Sequence, residues 1–139
     1  MPLMMAKRLV VWLIETLCEV LAVSVLLIVL SGRSENRGLA DDVLLAIWGT
    51  ALVFMVGSGY LLTTAAFGVL WRSINPWVYP AISAALFVIH VQFFATGWDP
   101  STKVPVQLGG AGIVFGFAFL GTWLLRTWVA AGSPLTGLR

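Results

Sequence analysis

The chain has 139 residues, of which 60% are hydrophobic and only 10% charged, against roughly 45–50% apolar and about 25% charged in soluble domains. That composition excludes an ordinary soluble fold, and four long apolar runs leave no room among these residues for a separate soluble domain. The formal net charge of +2 comes from eight scattered Lys and Arg residues; none of them forms a run able to track a phosphate backbone, so no nucleic-acid partner is expected.

Met1 to Arg8, ahead of a long apolar stretch, has the outline of a secretory leader. The stretch is too long for one and contains Glu15 and Glu19, so a retained helix is expected instead. This first span covers about Leu9 to Leu30, the length needed to cross a hydrocarbon core of roughly 30 Å. It stops at Ser31-Gly32-Arg33-Ser34-Glu35-Asn36-Arg37-Gly38, whose composition favours a solvated loop. Cys18 is the single cysteine, which excludes an intrachain disulfide or a thiolate metal cluster.

Asp41 and Asp42 precede the second span, where carboxylates cap free N–H groups and suit the positive end of a helix, placing its start at Val43. The span reaches Leu70, and apolar character runs to Trp71, a stretch of about 43 Å at 1.5 Å per residue. That exceeds the core, so tilting, bending or protrusion is expected. Near its middle, Gly57-Ser58-Gly59 permits either close approach by another helix or a bend; close packing through Gly57 and Gly59 is the simpler expectation, a functional hinge the other.

The short link Arg72-Ser73-Ile74-Asn75-Pro76 makes the second and third spans antiparallel neighbours. The third span covers about Trp77 to Thr96, with Pro80 in its tolerant first turn, and ends at Gly97-Trp98-Asp99-Pro100. The third loop is expected to continue through Lys103 and Pro105. The fourth span then covers about Leu108 to Val129, followed by a poorly ordered tail from Ala130 to Arg139.

These elements predict an all-α integral membrane protein, a four-transmembrane-helix bundle forming one polytopic domain over residues 1–139. Lys7, Arg8, Arg72, Arg126 and Arg139 fall on one side, and Arg33, Arg37 and Lys103 on the other. The richer side is expected to be cytoplasmic, with both termini inside. Trp71, Trp77 and Trp128 mark that interface and Trp48 and Trp98 the opposite one, with Trp12 and Trp123 slightly deeper.

Glu15 and Glu19 carry the most information, because a carboxylate inside a spanning helix is costly unless protonated, paired or wetted. Their i,i+4 spacing puts both on the face lined by Arg8, Trp12 and Ala22, which should point into the bundle or a partner. Two carboxylates that close can share a proton, which suits proton or cation exchange. The structural alternative pairs Glu15 with Arg8 or Arg126 and leaves Glu19 neutral or hydrogen-bonded across the bundle or to a partner subunit. His90 and Gln92 lie at a depth that could approach Glu19, and histidine can relay protons or bind metal. A lone histidine with no supporting motif gives no expectation of a metal or cofactor. Thr63 and Thr64, with Ser58, could line a polar path or simply bond to preceding carbonyls.

The fourth span contains Gly112-Ile113-Val114-Phe115-Gly116, a small-xxx-small pattern that predicts tight helix packing, within the bundle or between copies. No nucleophile elbow, phosphate-cradling loop or paired-histidine motif is present. The four-span size and first-helix carboxylate resemble small multidrug transporters, from which the longer loops and the second carboxylate depart. The functional expectation is an accessory or assembly subunit of a larger complex in a bacterial inner membrane, with lipids and either other membrane subunits or further copies of itself as partners. The alternative is a small oligomeric transporter or channel subunit using Glu19 and Glu15; a lipid-modifying enzyme using Glu15, Glu19 and His90 is a distant third.

Overall fold

The computed structural model describes residues 2–31, 37–73 and 75–132, and among them all regular structure is helical. Most of the expected first loop and tail, residues 32–36 and 133–139, lies outside these segments. Among the described residues there are five α-helices: α1 (Pro2–Ser31), α2 (Leu39–Trp48), α3 (Tyr60–Ala65), α4 (Val78–Phe94) and α5 (Pro100–Ala131). Wider, π-helical segments extend α2 over Gly49–Val56 and α3 over Ala66–Leu70.

Three helical stretches, Leu3–Leu30, Leu39–Val56 and Pro100–Ala131, are long and apolar enough to cross a membrane; Tyr60–Leu70 and Val78–Phe94 are shorter apolar helices. Large apolar side chains such as Leu13, Leu17, Leu62, Phe93 and Leu108 point outward, an arrangement that suits a lipid solvent and not water.

Several boundaries differ from those expected. α1 begins well before Leu9 because the preceding residues are good helix formers and its two cations find partners. The Lys7 ammonium lies 3.4 Å from the Trp128 carbonyl and over the Trp128 ring, at the C-terminal end of α5, whose negative dipole end suits a cation. α2 begins at Leu39, which puts Asp41 and Asp42 inside its first turn rather than ahead of it. α5 begins at Pro100, so Lys103 and Pro105 belong to the helix and not to a loop. Pro100 at the first helical position gives up no internal bond, and the Asp99 carbonyl accepts from the N–H groups of Thr102 and Lys103 at 3.0 and 2.9 Å.

The long second stretch is interrupted rather than merely bent. Over Gly49–Val56 the backbone loosens to i→i+5 bonding, seen where the Gly57 N–H donates to the Leu52 carbonyl at 3.1 Å. Ser24 of α1 lies against this segment, its hydroxyl donating to the Val20 carbonyl of its own helix and lying 3.4 Å from the Ala46 carbonyl and 3.2 Å from Thr50 Oγ1. Gly59 then adopts φ +77°, left-handed backbone that a side chain disfavours, and α3 restarts beyond it. A Cβ on Gly59 would meet no neighbour, so this glycine serves the turn and not close packing.

Side-chain pairings define the packing. Lys7 with Trp128, Glu15 with Gly121, and Leu26 with Gly109 make α1 and α5 antiparallel. Phe87 against Gly110, and Trp77 stacked near Phe119 with centroids 5.1 Å apart, do the same for α4 and α5. The interrupted stretch runs antiparallel to α1, through Trp12 with Thr64 and Glu19 with Tyr60, and to α4, through Phe54 with Phe94. The interior is filled by Val20, Val23, Phe54, Met55, Tyr60, Phe87, Val91, Val106 and Val114.

Gly112 and Gly116 do not mediate this packing: a Cβ on either would meet nothing within 4 Å. Gly110 faces inward, and at 3.6 residues per turn a residue two further on lies about 200° round the helix. The tight approach therefore belongs to Gly110, where a Cβ would overlap the fully buried Phe87 ring, and to Gly121 against Glu15. Gly110→Ala should accordingly destabilise the fold by about 1–3 kcal/mol, the usual cost of overpacking. Gly112→Ala should be neutral or stabilising, by up to about 1 kcal/mol from helix propensity. Reversible unfolding of both variants in mixed micelles measures the difference.

Candidate functional site: a buried carboxylate pair and its arginine

The inward stripe of α1 carries Arg8, Trp12, Glu15 and Glu19, all turned toward the interrupted second stretch and α5. Arg8 Nη1 caps the carbonyls of Val69 and Leu70, each at 3.4 Å, and Trp12 Nε1 donates to Thr64 Oγ1 at 3.3 Å. These bonds fix the angle at which the stripe meets the end of the second stretch.

Arg72 follows that end, and its side chain turns inward and is completely buried. Nη1 donates to Glu15 Oε2 at 2.9 Å and Nη2 donates to Glu15 Oε1, a two-pronged ion pair. Nη2 also reaches Thr122 Oγ1 at 2.8 Å and the Ala118 carbonyl at 3.2 Å, while the guanidinium carbon lies 4.1 Å from the centre of the Tyr79 ring. Thr122 donates its own proton to the Ala118 carbonyl at 2.8 Å, which orients its oxygen as an acceptor. One guanidinium thus joins α1, α4, α5 and the link. Its planar fork suits this task because it matches a carboxylate edge to edge while presenting further donors.

Room for the pair comes from Gly121, where any side chain would overlap the Glu15 carboxylate. Gly68 similarly admits the Tyr79 hydroxyl and the edge of Trp12. Glu15 retains 4% exposure, beside a cleft of about 120 Å³ whose other walls are the apolar or weakly polar Val11, Ile14, Cys18, Phe117, Leu120 and Leu124. The lining is otherwise apolar or weakly polar, so the Arg72 guanidinium is the group that meets the Glu15 carboxylate.

One turn along, Glu19 is 5% exposed and accepts a long hydrogen bond of 3.5 Å from the Tyr60 hydroxyl. Tyr60 is fully buried and sets its ring edge-on to Phe87 and to His90, with centroids 5.9 and 5.6 Å away. His90 Nδ1 lies 2.6 Å from the Leu86 carbonyl and donates to it, so in the neutral ring Nε2 is the acceptor. His90 also lines an open cavity of about 360 Å³ with Gly57, Ser58, Ile89, Phe93 and Phe94, at the break in the second stretch.

Of the four polar residues singled out from sequence, Glu15 and Glu19 share one buried face of α1, and His90 meets the ring of Tyr60, whose hydroxyl lies on Glu19. Gln92 does not join them; it is exposed and accepts from Gln107 Nε2 at 3.1 Å. The counter-ion of Glu15 is Arg72, not Arg8, which caps backbone carbonyls, nor Arg126, which is exposed. The hydroxyls of Ser58, Thr63 and Thr64 turn back onto carbonyls of their own helices. Sequence reasoning missed Arg72, Tyr60, Tyr79, Thr122 and Gly121. The available signal was the surplus length of the second apolar stretch, which lets the residue after it fold back into the bundle.

Removing either member of the pair should be severe: Glu15→Gln or Arg72→Gln strands a buried ion and should cost about 3–5 kcal/mol. The double substitution Glu15→Met with Arg72→Met should recover most of that loss, because neither charge then remains. Arg72→Lys should not restore stability, since an ammonium cannot make the two-pronged contact while also holding Thr122 and Ala118. Unfolding free energies of the five proteins, wild type included, check this.

No protein-family model, no curated protein and no solved structure matches this chain.

Proposed function

We propose that this chain is a four-span bundle of a bacterial inner membrane, with both termini in the cytoplasm, acting as an accessory or assembly subunit of a larger membrane complex. The observation that carries this reading is the closed Glu15–Arg72 pair. A coupling residue in a transporter must be reached by water or cargo, whereas both Glu15 oxygens are occupied by one arginine. The costliest intramembrane charges are thereby committed to holding helices together.

Packing supports the four-span count. α4 covers about 25 Å at 1.5 Å per residue, and Trp77 and the turn at Ala95–Gly97 extend it at both ends. The antiparallel pairing of successive stretches gives the up-down order that short connections favour. Burial of Arg72 removes one cation from the loop count. Lys7, Arg8, Arg126 and Arg139 remain on the proposed cytoplasmic side, against Arg33, Arg37 and Lys103, so the bias keeps its sign.

The outer face of α5 supports a lateral partner. Gly112, Gly116 and Leu120 line a shallow opening of about 220 Å³ with Ile113 and Phe117, a surface against which another helix could pack closely. The transporter reading retains one observation in its favour, the buried Glu19 carboxylate, whose hydrogen-bond partner is the neutral Tyr60 hydroxyl.

Two experiments test these proposals. In a Cys18→Ala background, Lys103→Cys should react with a membrane-impermeant maleimide in intact cells, and Ala6→Cys only after permeabilisation; the reverse pattern rejects the orientation. Particles extracted from native membranes should contain this chain and a second polypeptide in fixed ratio. A particle built of this chain alone rejects the accessory-subunit reading.

A further inference from the structure

We propose that the cavity at the break in the second stretch binds a lipid alcohol, an uncharged lipid whose polar end is a free hydroxyl, with that hydroxyl donating to His90 Nε2. The proposal does not rest on the accessory-subunit reading.

The chemistry of the lining selects the ligand. Gly57, Ser58, Ile89, His90, Phe93 and Phe94 border about 360 Å³, the small end of ligand pockets, which run from roughly 300 to 1,000 Å³. Both side-chain donors of that wall are already committed within the chain, His90 Nδ1–H to the Leu86 carbonyl and the Ser58 hydroxyl to the Phe54 carbonyl. The Gly57 N–H is likewise engaged, on the Leu52 carbonyl.

What the wall keeps is an acceptor. Among the described residues none hydrogen-bonds to His90 Nε2, and the Nδ1 bond to a carbonyl one turn back directs the opposite edge of the ring, with Nε2, away from the backbone of α4. Such a wall suits an O–H or N–H group and offers nothing to a phosphate or ester oxygen. No carboxylate lines the cavity, so a cationic amine would meet no counter-charge among its apolar side chains. An amide would bring its own carbonyl to the same donor-poor wall. A neutral hydroxyl is the group that fits.

Position supplies the apolar end of the ligand. His90 lies four residues, about 6 Å of helix, before the end of α4 at Phe94, close to one edge of the hydrocarbon core. Ile89 and Phe93 are 48% and 77% exposed, so the cavity opens sideways toward lipid, and a chain leaving it continues along α4. Gly57 adds no side chain to fill the space, and the left-handed turn at Gly59 ends the helix beside it.

The chain has one histidine, so ¹⁵N-histidine labelling of the full chain in phosphatidylcholine nanodiscs reports His90 alone. At a pH of about 9, where an ordinary histidine is neutral, dioleoylglycerol or a long-chain prenol should move the Nε2 resonance upfield to saturation. Cross-peaks should join the ring protons to the carbinol protons of the lipid. Trioleoylglycerol and the prenyl acetate, which lack the hydroxyl, should produce neither effect, and a response to only one of the two alcohols identifies the source of the hydroxyl. Gly57→Leu places a side chain in the cavity from ordinary right-handed backbone, φ −63°, and should weaken the response about tenfold, within the cost of filling a packed space. The comparison of free and capped lipids uses the wild type alone and decides the case should Gly57→Leu not fold. An Nε2 resonance that neither alcohol moves, or that the capped lipids move equally, overturns the proposal.

Discussion

A carboxylate carried into an apolar interior needs its counter-charge in the same interior, because neither lipid nor packed side chains can solvate it. In this bundle the counter-charge of Glu15 comes from Arg72, a residue outside the helices. To deliver it, the chain after the second apolar stretch has to turn inward roughly two to three turns from the end of α5. The consequences radiate from that point: Gly121 must be small to admit the carboxylate, Thr122 must point its oxygen at the guanidinium, and Tyr79 must lie flat against it. Three helices and a link are thus oriented by one planar group. The net contribution of such a pair to stability is small, since desolvation offsets much of the Coulombic gain.

The second stretch answers a different constraint, that of excess length. A straight helix from Leu39 to Leu70 would overrun the hydrocarbon core. The chain accommodates it with two loosened segments and the left-handed turn at Gly59. The same break places Tyr60 at the start of α3, where its hydroxyl reaches Glu19, and opens the space beside His90. Length mismatch and buried charge, separate problems in the sequence, are therefore met by adjoining pieces of one interrupted helix.

Much of this is legible from residues alone. Apolar runs long enough to span give the helical class and the membrane setting, and the i,i+4 spacing of Glu15 and Glu19 gives a shared inward face. The identity of the counter-ion is not legible in the same way. Arg8, Arg72 and Arg126 all belong to one end of the molecule, and only the three-dimensional path of the link distinguishes them. Gly112 and Gly116 mislead for a related reason: the motif identifies a face on which close approach is possible, but the inward face of α5 is set by Gly110, Val114, Ala118 and Gly121, on the other side. The start of α5 is hidden by Pro100 and Pro105, which resemble loop punctuation although the first of them sits where a helix tolerates proline best.

The central claim is that Arg72, and no other cation, holds Glu15. The most direct measurement is dipolar-recoupling solid-state NMR in lipid bilayers, between ¹⁵N-labelled arginine guanidinium groups and the ¹³C-labelled carboxyl carbons of glutamate. The account predicts a strong coupling corresponding to a separation of about 4 Å or less, typical of an ion pair, abolished by Arg72→Gln and retained in Arg8→Gln and in Arg126→Gln. A coupling that survives Arg72→Gln, or none in the wild type, would contradict it.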